Sequence, residues 1–504
     1  MQNAVDNMQA FINGALELFS ALFILFIGVI IAGIIVTYIM DVTQRATAIR
    51  RNYPVIGHFR YFFEHLGEFF RQYFFAMDRE ELPFNRTQRS WVYRAGKNLS
   101  NTTAFGSTRD IRRPGSILFV NCPFPTLSEE SVPPLPITIG KNTRKPYTTA
   151  SYFNISGMSY GALSKPAVLA LSMGAKKAGC WMNTGEGGLS PYHLQGGADI
   201  VFQIGTAKNG VRDLEGNLND EKLKEVAAHE QVKMFEIKMS QGAKPGKGGI
   251  LPAAKVSKEI AEIRGIKVGE AAVSPNRHTD IKNNGDLLDM IHRVREVTGK
   301  PVGFKAVLSG HLWLETLFKE IVERGIDSAP DFITIDSADG GTGAAPLPLI
   351  DAVGISLRES IYIIDDKLNE YGLRDRVKVI VSGKLVTPAA VAWALCAGAD
   401  FIVSARGFMF SLGCIQALQC DKNTCPTGIT THNKKLQSGL IPEYKADRVA
   451  NYVKNLTYEV GMLAHSCGVK APRQLSRSHA RLVTSDGSSV PLDEIHPPVT
   501  NRKN

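Results

Sequence analysis

The sequence predicts an α/β fold: a closed (β/α)8 TIM barrel that follows an N-terminal transmembrane helix and a helical N-terminal extension. The first supporting observation is a series of short β-rich runs that alternate with helical stretches from about residue 147 onward. Each run ends in polar or Gly-rich residues, which is typical of parallel strands buried on both faces and each followed by a helix. The runs lie at residues 149–156, 179–184, 234–240, 301–307, 331–337, 377–383 and 400–406.

The second observation is length, because the region from about residue 140 to 430 suits a barrel of eight strand–helix units. An open, doubly wound sheet is the alternative, and it is disfavoured because no GxGxxG turn follows the first strand. We therefore predict four segments. They are a short N-terminus and anchor (1–44), an amphipathic, aromatic extension with a Pro-rich connector (45–139), the barrel with a cysteine loop (140–430), and a C-terminal helical extension and tail (431–504).

Composition narrows the class of protein. The chain has 504 residues and a net charge of +10, but its positive charges are scattered and match no nucleic-acid-binding signature. We therefore predict no nucleic-acid partner. Of the seven cysteines, three fall within one short segment. An odd number with this clustering fits a reducing compartment and a metal site better than a disulfide framework.

Residues 19–40 form an uncharged, strongly apolar run near the N-terminus. Roughly 22 residues make a helix of ~33 Å, enough to span a bilayer, whereas a signal-peptide core is shorter. Arg45, Arg50 and Arg51 follow the run, while only Asp6 and Glu17 carry charge before it. An excess of Lys and Arg marks the cytoplasmic side, so we predict a single-pass membrane protein whose catalytic body is cytoplasmic.

A second distinctive stretch, residues 53–94, is dense in Phe and Tyr but interleaved with Arg, Glu and His. Its apolar residues recur at helical spacing, which predicts an amphipathic helix rather than another span. Two placements stay open: the helix lies at the membrane interface, or it packs onto the catalytic body.

Three Gly clusters close successive predicted strands near the end of the barrel, where phosphate sites are common. Gly lets the backbone approach a phosphate, and an Arg can bind it with two parallel hydrogen bonds. Any one cluster is most simply a turn, but three together indicate a phosphate-bearing cofactor. The candidate phosphate-binding residues are Gly340, Gly341, Gly343, Gly383, Lys384, Ala405 and Arg406.

Cys414, Cys420 and Cys425 form a C-x5-C-x4-C pattern eight residues beyond Arg406. Three thiolates at this spacing can surround one small cluster, and zinc normally requires a fourth ligand. The pattern favours a three-iron cluster, or a four-iron cluster with an outside ligand. Two alternatives stay open: a Cys3His zinc site that includes His432, and buried, inert thiols.

Several segments together resemble the FMN-binding synthase domain of glutamate synthase. They occur in that family's order over roughly residues 140 to 470, and the QGAKPG and cysteine segments are highly specific. The upstream segments PFNRTQRSWVYRAGK and AFGSTRD resemble a short, membrane-tethered branch of the same superfamily. The matching segments are NISGMSYGALSKPA, NTGEGG, QGAKPGKGGILPAAKV, SADGGTGAAP and GCIQALQCDKNTCPTG.

The resemblance implies an oxidoreductase of glutamate biosynthesis acting on CH–NH2 donors, with FMN and a 3Fe-4S cluster as cofactors. It assigns binding of the substrate 2-oxoglutarate to Glu186, Gln241, Lys244 and Arg264. It also assigns Lys305 to the flavin and the three cysteines to the cluster. Four first-strand residues would contact the flavin: Ser156, Gly157, Met158 and Ser159.

The sequence also departs from the family. It shows no glutaminase domain and no NAD(P)H-binding domain, and its stretch after Ser274-Pro275 carries fewer histidines. The expected activity is reductive amination of 2-oxoglutarate, with ammonia or a glutaminase subunit as nitrogen source and a ferredoxin-like protein or a reductase as electron donor. The alternatives are a flavin–iron–sulfur oxidoreductase or aminotransfer subunit for another amine, 2-oxo acid or 2-hydroxy acid, and a membrane-bound electron-transfer subunit.

Overall fold

The structure is a computed structural model that describes residues 2–499, without the side chain of residue 4. The chain divides into two compact units, one ending at Arg86 and one beginning at Thr87. This division lies inside the predicted extension and does not test the finer boundaries given above.

The first unit is helical. A helix over Gln2–Thr43 contains one segment, Val5–Thr43, that is long and apolar enough to cross a membrane, and its most apolar window is fully exposed. The short helix Ala48–Asn52 follows, and then the helix Gly57–Phe70 continues as a π-helical turn, Arg71–Phe75. The apolar run in the sequence therefore corresponds to a single exposed helix.

A buried carboxylate joins the two long helices of this unit. Asp41, near the end of the first helix, accepts a hydrogen bond from the Val55 backbone N–H at 2.9 Å and contacts His58 Nε2 at 2.9 Å. The second helix exposes Phe59, Phe62 and other aromatic residues at helical spacing. An amphipathic helix therefore lies within the segment where the sequence predicts one.

The second unit contains a closed barrel of eight parallel strands, which confirms the predicted fold class. Each strand pairs with its neighbours in sequence, and the eighth pairs with the first, so the sheet has no free edge. The strands are β1 (Phe153–Ile155), β2 (Met182–Asn183), β3 (Ile200–Ile204), β4 (Val232–Lys238), β5 (Val302–Ala306), β6 (Phe332–Asp336), β7 (Lys378–Ser382) and β8 (Phe401–Ser404).

Seven of these strands overlap the β-rich runs, whereas β3 was not among the predicted strands. The β2–β3 unit is unusually short, with two residues in β2 and the short helix Pro191–Gln195 between the strands. Such a unit does not produce the long alternation of strand and helix that reveals the others.

Helices follow the strands around the barrel. Those within the barrel region are Lys165–Ala178, Pro191–Gln195, Asp220–Ala228, Lys258–Arg264, Asn284–Thr298, Leu312–Arg324, Leu347–Ala352, Leu357–Glu370, Pro388–Cys396 and Arg406–Leu412. The remaining helices are Arg86–Gly96, Lys434–Gln437, Pro442–Ser466 and Leu492–Ile495.

Local sequence explains the boundaries of the first barrel helix, Lys165–Ala178. It begins after Ser164, whose hydroxyl accepts a hydrogen bond from the Ala167 N–H at 3.3 Å, and it ends at Gly179 with a positive φ of 69°. It packs against the long helix Pro442–Ser466, and Gly174 provides the close approach. A Cβ at position 174 would lie 2.4 Å from the Cβ of Val449.

A β-hairpin (Ile137–Ile139 and Tyr147–Thr149) packs against apolar residues from the barrel, and these form one core cluster. Two other small antiparallel sheets lie outside the barrel. One comprises Ile117–Phe119, Ala480–Val483 and Ser489–Pro491, and the other comprises Ile250–Leu251 and Ala272–Val273.

Candidate active site

A cavity is lined by residues that follow several barrel strands at their carboxyl ends, where barrel enzymes place their sites. The segments after β1, β2, β4, β6 and β8 all contribute to it. Most of the residues predicted from the sequence line this one cavity: Gly157, Met158, Ser159, Glu186, Gln241, Lys244, Arg264, Gly341, Gly343, Ala405, Arg406 and Cys420.

The other predicted residues do not line the cavity. Ser156 directly follows β1, Gly340 lies in the loop after β6, and Gly383 and Lys384 directly follow β7. Three further predicted residues also lie off the cavity wall: Lys305, on β5, and the cysteines Cys414 and Cys425. The structure therefore keeps them near the same strand ends or loops without placing them on the cavity wall.

The central charged group of the cavity is Glu186. Its Oε1 atom lies 2.9 Å from Lys238 Nζ at the end of β4. Burial opposes the charge of Glu186, but the neighbouring cations, Lys238 foremost, hold the pKa of this carboxyl below its usual value. Glu186 is therefore a carboxylate in the neutral pH range.

Glycines allow the surrounding backbone to close on Glu186. A Cβ at Gly249 would lie 2.4 Å from Glu186 Oε1, and a Cβ at Gly205 would lie 2.5 Å from Glu186 Cβ. Both positions therefore exclude any side chain larger than hydrogen unless the glutamate moves.

Two further cations line the same cavity. Lys244 is buried, and its Nζ donates to the Ala344 carbonyl at 3.3 Å. Burial, and secondly the charge of Lys238, lower the pKa of Lys244 to about 8. Lys244 therefore carries its charge at pH 7 but loses it at moderately alkaline pH.

Arg264 reaches the cavity from the end of the helix Lys258–Arg264. Its Nη2 donates to the Tyr160 carbonyl at 3.0 Å and to Ser159 Oγ at 3.3 Å, while burial lowers its pKa to about 10. Its Nε is buried and, within residues 2–499, has no hydrogen-bond partner. A buried guanidinium with an unsatisfied N–H is well suited to bind a carboxylate.

Gln241 extends this polar wall. Its Oε1 accepts from Lys238 Nζ at 3.1 Å, and its Nε2 lies 3.4 Å from the Gly341 carbonyl. The first contact links Gln241 to the Glu186–Lys238 pair, and the second links it to the predicted phosphate-binding loop. The sequence singled out Gln241 but not Lys238, which lies only three residues earlier.

Beneath the cavity, Glu236 collects three hydrogen bonds inside the barrel. Asn183 and Gln203 donate to one carboxylate oxygen at 2.8 and 2.7 Å, and Thr334 donates to the other at 2.6 Å. Sequence reasoning missed this network because its members come from four strands. The sequence offers one signal for this network, namely polar residues at positions of those strands that face the barrel interior.

Lys305 is held in the barrel by an ion pair with Asp336, at 3.1 Å, and is not a free cation. Burial opposes its charge, but Asp336, Glu236 and Glu186 together raise its pKa above the usual value. Asp336 also accepts from the Gly242 N–H at 2.9 Å, which ties the loop after β4 to β6. Lys305 therefore keeps its charge at neutral pH.

Of the predicted phosphate-binding residues, Gly341, Gly343 and Ala405 line the cavity together with Arg406. This guanidinium donates to the Thr342 carbonyl and lies 3.5 Å from Cys420 Sγ. A Cβ at Gly341 would lie 3.0 Å from Arg406 Nε, so the Gly backbone approaches the arginine closely. Lys384 is paired with Asp339 at 3.1 Å.

The three cysteines lie on the loop that follows the helix Arg406–Leu412. Cys414 and Cys425 are buried and Cys420 is half-buried. Among the described residues, no group of three or more His, Cys, Asp or Glu side chains is arranged as metal ligands. His432, the fourth ligand of the zinc alternative, contacts the Gly161 carbonyl at 2.8 Å through Nε2.

A buried cation not singled out from the sequence, Lys255, lies between the cavity and the cysteine loop. It is 2% exposed, and its Nζ donates to the backbone carbonyls of Cys420 at 2.7 Å and Thr430 at 2.6 Å. Burial lowers its pKa. The residue ends the QGAKPGKGGILPAAK segment, so the motif itself was the available signal.

Comparisons with known proteins agree on one family. Residues 126–470 match the family described as the conserved region in glutamate synthase. The chain is 41% identical to the glutamate synthase large subunit-like protein YerD of Bacillus subtilis (strain 168), over 94% of this chain and 98% of that protein. It is 38% identical to the archaeal glutamate synthase (NADPH) of Methanocaldococcus jannaschii, over 65% of this chain and 61% of that one.

Solved structures resemble this chain at low sequence identity. The recombinant flavin-binding domain of baker's yeast flavocytochrome b2 is 14% identical, with a TM-score of 0.45, covering 80% of this chain and 81% of that one.

Proposed function

Because the chain belongs to the glutamate synthase family, we propose that it is an FMN-dependent oxidoreductase that converts 2-oxoglutarate and ammonia to L-glutamate. In the balanced reaction, 2-oxoglutarate, ammonia, two electrons and two protons give glutamate and water. The carbonyl oxygen leaves as water when the imine forms, and the imine carbon then accepts a hydride.

The observation that carries this proposal is the charge of the cavity. Lys238, Lys244 and Arg264 surround one carboxylate, Glu186, so the site has an excess of positive charge. An excess of buried cations requires an anion, and a dicarboxylate would supply two charges. Arg264 can bind one carboxylate with charge-assisted hydrogen bonds, and Lys244 has donors left for the other.

The residues present also fit a flavin mononucleotide. Gly157 lines the cavity close to Asn183, and a Cβ there would lie 2.9 Å from Asn183 Oδ1, so this position on the cavity wall admits only Gly. The backbone of Gly341 and Gly343, with Arg406, would hold the phosphate. When bound, reduced FMN supplies the hydride.

The protein's own residues orient and polarise the substrate. In this proposal Arg264 and Lys244 hold the two carboxylates, and Gln241, which also lines the cavity, contacts the reacting end. Glu186, kept anionic by Lys238, can accept a proton from incoming ammonium or hold the imine nitrogen through a hydrogen bond. Lys305 keeps its positive charge in the barrel interior, where it is paired with Asp336.

We also propose a 3Fe-4S cluster on Cys414, Cys420 and Cys425. All three lie on one loop close to Arg406 and Lys255; burial raises the pKa of the Cys414 thiol, and the charge of Arg406 opposes this rise. The cluster would pass electrons to the flavin. A ferredoxin-like protein or a reductase subunit would supply the electrons, and free ammonia or a glutaminase subunit would supply the nitrogen.

A ligand panel tests the proposed substrate. The absorption spectrum of oxidised FMN is followed while 2-oxoglutarate, pyruvate or a 2-hydroxy acid is added to the full-length protein in detergent. We expect 2-oxoglutarate to bind at least about tenfold more tightly than pyruvate, because only the dicarboxylate pairs with two cations.

The variant Arg264→Gln should lose most of this preference. Arg293→Gln is the matched control, because Arg293 forms an ion pair with Asp220 away from the cavity. Equal affinity for pyruvate and 2-oxoglutarate in the wild-type protein would reject the dicarboxylate site and favour another 2-oxo or 2-hydroxy acid.

We propose that the helix Gln2–Thr43 anchors the chain in a membrane, with the catalytic unit on the cytoplasmic side. Support comes from its exposed apolar surface and from Arg45, Arg50 and Arg51 after it. Protease added to sealed spheroplasts should leave the catalytic unit intact, and lysis should expose it to cleavage. Digestion of the unit in sealed spheroplasts would reverse the orientation, and recovery of the protein in the soluble fraction would exclude the anchor.

A further inference from the structure

We propose that Lys255 is a positioning residue that supplies a fixed positive charge to an anionic thiolate–metal cluster held by Cys414, Cys420 and Cys425. This inference rests on the iron–sulfur cluster of the proposed function. It assigns to Lys255 two linked roles: it fixes the conformation of the cysteine loop and it offsets the negative charge that the loop carries when loaded.

The first observation is where the ammonium donates its hydrogen bonds. Lys255 Nζ contacts three backbone carbonyls: Cys420 at 2.7 Å, Thr430 at 2.6 Å and Ala162 at 3.5 Å. An ammonium has three N–H donors, so these acceptors use its full capacity. Lys255 therefore holds together the segment after β1 and both sides of the cysteine loop.

The second observation is the absence of a compensating carboxylate. Lys255 is 2% exposed, and in the part of the chain that the structure describes its Nζ contacts backbone carbonyls and forms no ion pair with an Asp or Glu. The buried lysine of the barrel, Lys305, in contrast has Asp336 at 3.1 Å. A buried charge that meets only neutral carbonyls is costly unless an anion is bound nearby.

The third observation identifies the anion. The carbonyl that Lys255 contacts at 2.7 Å belongs to Cys420, and the thiols of Cys414 and Cys425 lie on the same loop. Arg406, which is half-buried, lies 3.5 Å from Cys420 Sγ, so two cations lie close to the loop that carries the three thiols. A sulfur cluster with thiolate ligands is an anion that this arrangement would stabilise.

The cavity substrate is the competing anion, because Lys255 also lines the cavity. Its three donors are already used by carbonyls, however, so it has none left for a substrate carboxylate. Lys244 differs, since the structure gives it one carbonyl contact at 3.3 Å. The charge of Lys255 is therefore directed to the cysteine loop, and that of Lys244 to the substrate.

The test compares Lys255→Met and Lys255→Arg with Lys258→Met in the full-length protein. Lys258 is the matched control, because it is an exposed lysine three residues further along the same segment. The readouts are iron and sulfide per flavin, the electron paramagnetic resonance spectrum, and the midpoint potential of the cluster. The potential is measured by anaerobic titration, in which the cluster accepts one electron from dithionite.

We expect Lys255→Met to shift the midpoint potential downward, because the lost positive charge favoured the more negative, reduced cluster. Lys255→Arg keeps the positive charge, so its midpoint potential should stay close to the wild-type value. The midpoint potential of Lys258→Met should equal that of the wild type. Loss of iron in Lys255→Met with flavin retained, and recovery of iron in Lys255→Arg, would also support the proposal.

Wild-type iron content, spectrum and potential in Lys255→Met would overturn the inference. Equal loss of iron and flavin in Lys255→Met and Lys255→Arg would also overturn it, because charge would then not be the property that matters. Analysis of the wild-type protein separates the two levels: purified protein without iron would reject the proposed cluster itself, before any variant is compared.

Discussion

At the scale of single residues, the site is an arrangement of unequal cations around Glu186. Lys238 is committed to an ion pair with this carboxylate. Lys244 and Arg264 also line the cavity, and Arg264 Nε has no hydrogen-bond partner among the described residues. Removing Lys238 from this buried ion pair would leave the charge of Glu186 without a partner, so the loss of Lys238 differs in its effect from the loss of the other two cations. Loss of Lys238 would disturb Glu186, and loss of Lys244 or Arg264 would weaken binding of an anion.

The pKa of Lys244, about 8, predicts a pH dependence of substrate binding. Lys244 is charged below this pKa and neutral above it, so the dissociation constant of 2-oxoglutarate should rise as the pH increases through about 8. The full loss of one charge-assisted contact corresponds to about 1.5–3 kcal/mol, or a roughly tenfold to hundredfold weaker affinity. The measurement is the flavin absorption titration between about pH 6.5 and 9.5.

The control for this prediction is Lys244→Arg, which keeps its charge over the whole range and should bind with little pH dependence. Lys244→Gln should bind weakly at every pH. A wild-type dissociation constant that is the same at about pH 7 and 9.5 would remove Lys244 from the binding site.

Much of this residue-scale picture could be predicted from the sequence, because Glu186, Gln241, Lys244 and Arg264 were identified with motifs and all line the cavity. Their roles stay predictions until binding is measured. Lys238 and Lys255 were missed because a lysine in a sequence is exposed by default. Only the fold reveals that these two are buried, and what each one contacts.

At the scale of elements, the long helix Pro442–Ser466 supports the barrel by packing against the first barrel helix, Lys165–Ala178. Gly174 lies at this contact, with Val449 and the Ala446 carbonyl too close to admit a side chain. The C-terminal region, which the sequence predicts only as a helical extension, therefore supports the first helix of the barrel.

Gly174→Ala should destabilise the protein. Its new Cβ would lie 2.4 Å from Val449 Cβ and 2.8 Å from the Ala446 carbonyl, so the helices must separate. Overpacking of this kind costs about 1–3 kcal/mol, which exceeds the gain in helix propensity. Thermal unfolding of the holoenzyme in detergent should show a lower midpoint.

Gly461→Ala is the matched control, since Gly461 lies in the partner helix and a Cβ there would meet no atom within 4 Å. Alanine there should raise the midpoint or leave it unchanged, because it favours the helix by up to about 1 kcal/mol. Equal midpoints for Gly174→Ala and wild type would contradict the tight packing of the two helices.

The elements differ in how well the sequence revealed them. Seven strands were visible as buried apolar runs with polar ends, but β3 was not recognised because the β2–β3 unit is so short. The long apolar helix was evident from length and composition alone, since no packing is needed to recognise about 22 uncharged residues. Pairing of the eighth strand with the first, which closes the barrel, depends on tertiary structure.

At the scale of the whole molecule, the chain combines a helical unit that carries an exposed apolar helix with a unit that contains a closed barrel of eight parallel strands. Sequence motifs were enough to suggest the family because several specific segments, such as QGAKPG, occur in the order that the family has. They do not identify the electron donor or the nitrogen source, which depend on surfaces and partners that no motif in this chain specifies. The proposed chemistry therefore has to be tested on the intact protein.

The most direct test of the central claim is an anaerobic half-reaction. The full-length protein is purified in detergent, its FMN is reduced with dithionite, and the flavin spectrum is followed after addition of 2-oxoglutarate with and without ammonium. The account predicts that the flavin is reoxidised only when both are present, and that one glutamate forms for each two electrons consumed. A flavin that stays reduced with both present, in protein with full flavin and iron, would contradict the proposed reaction.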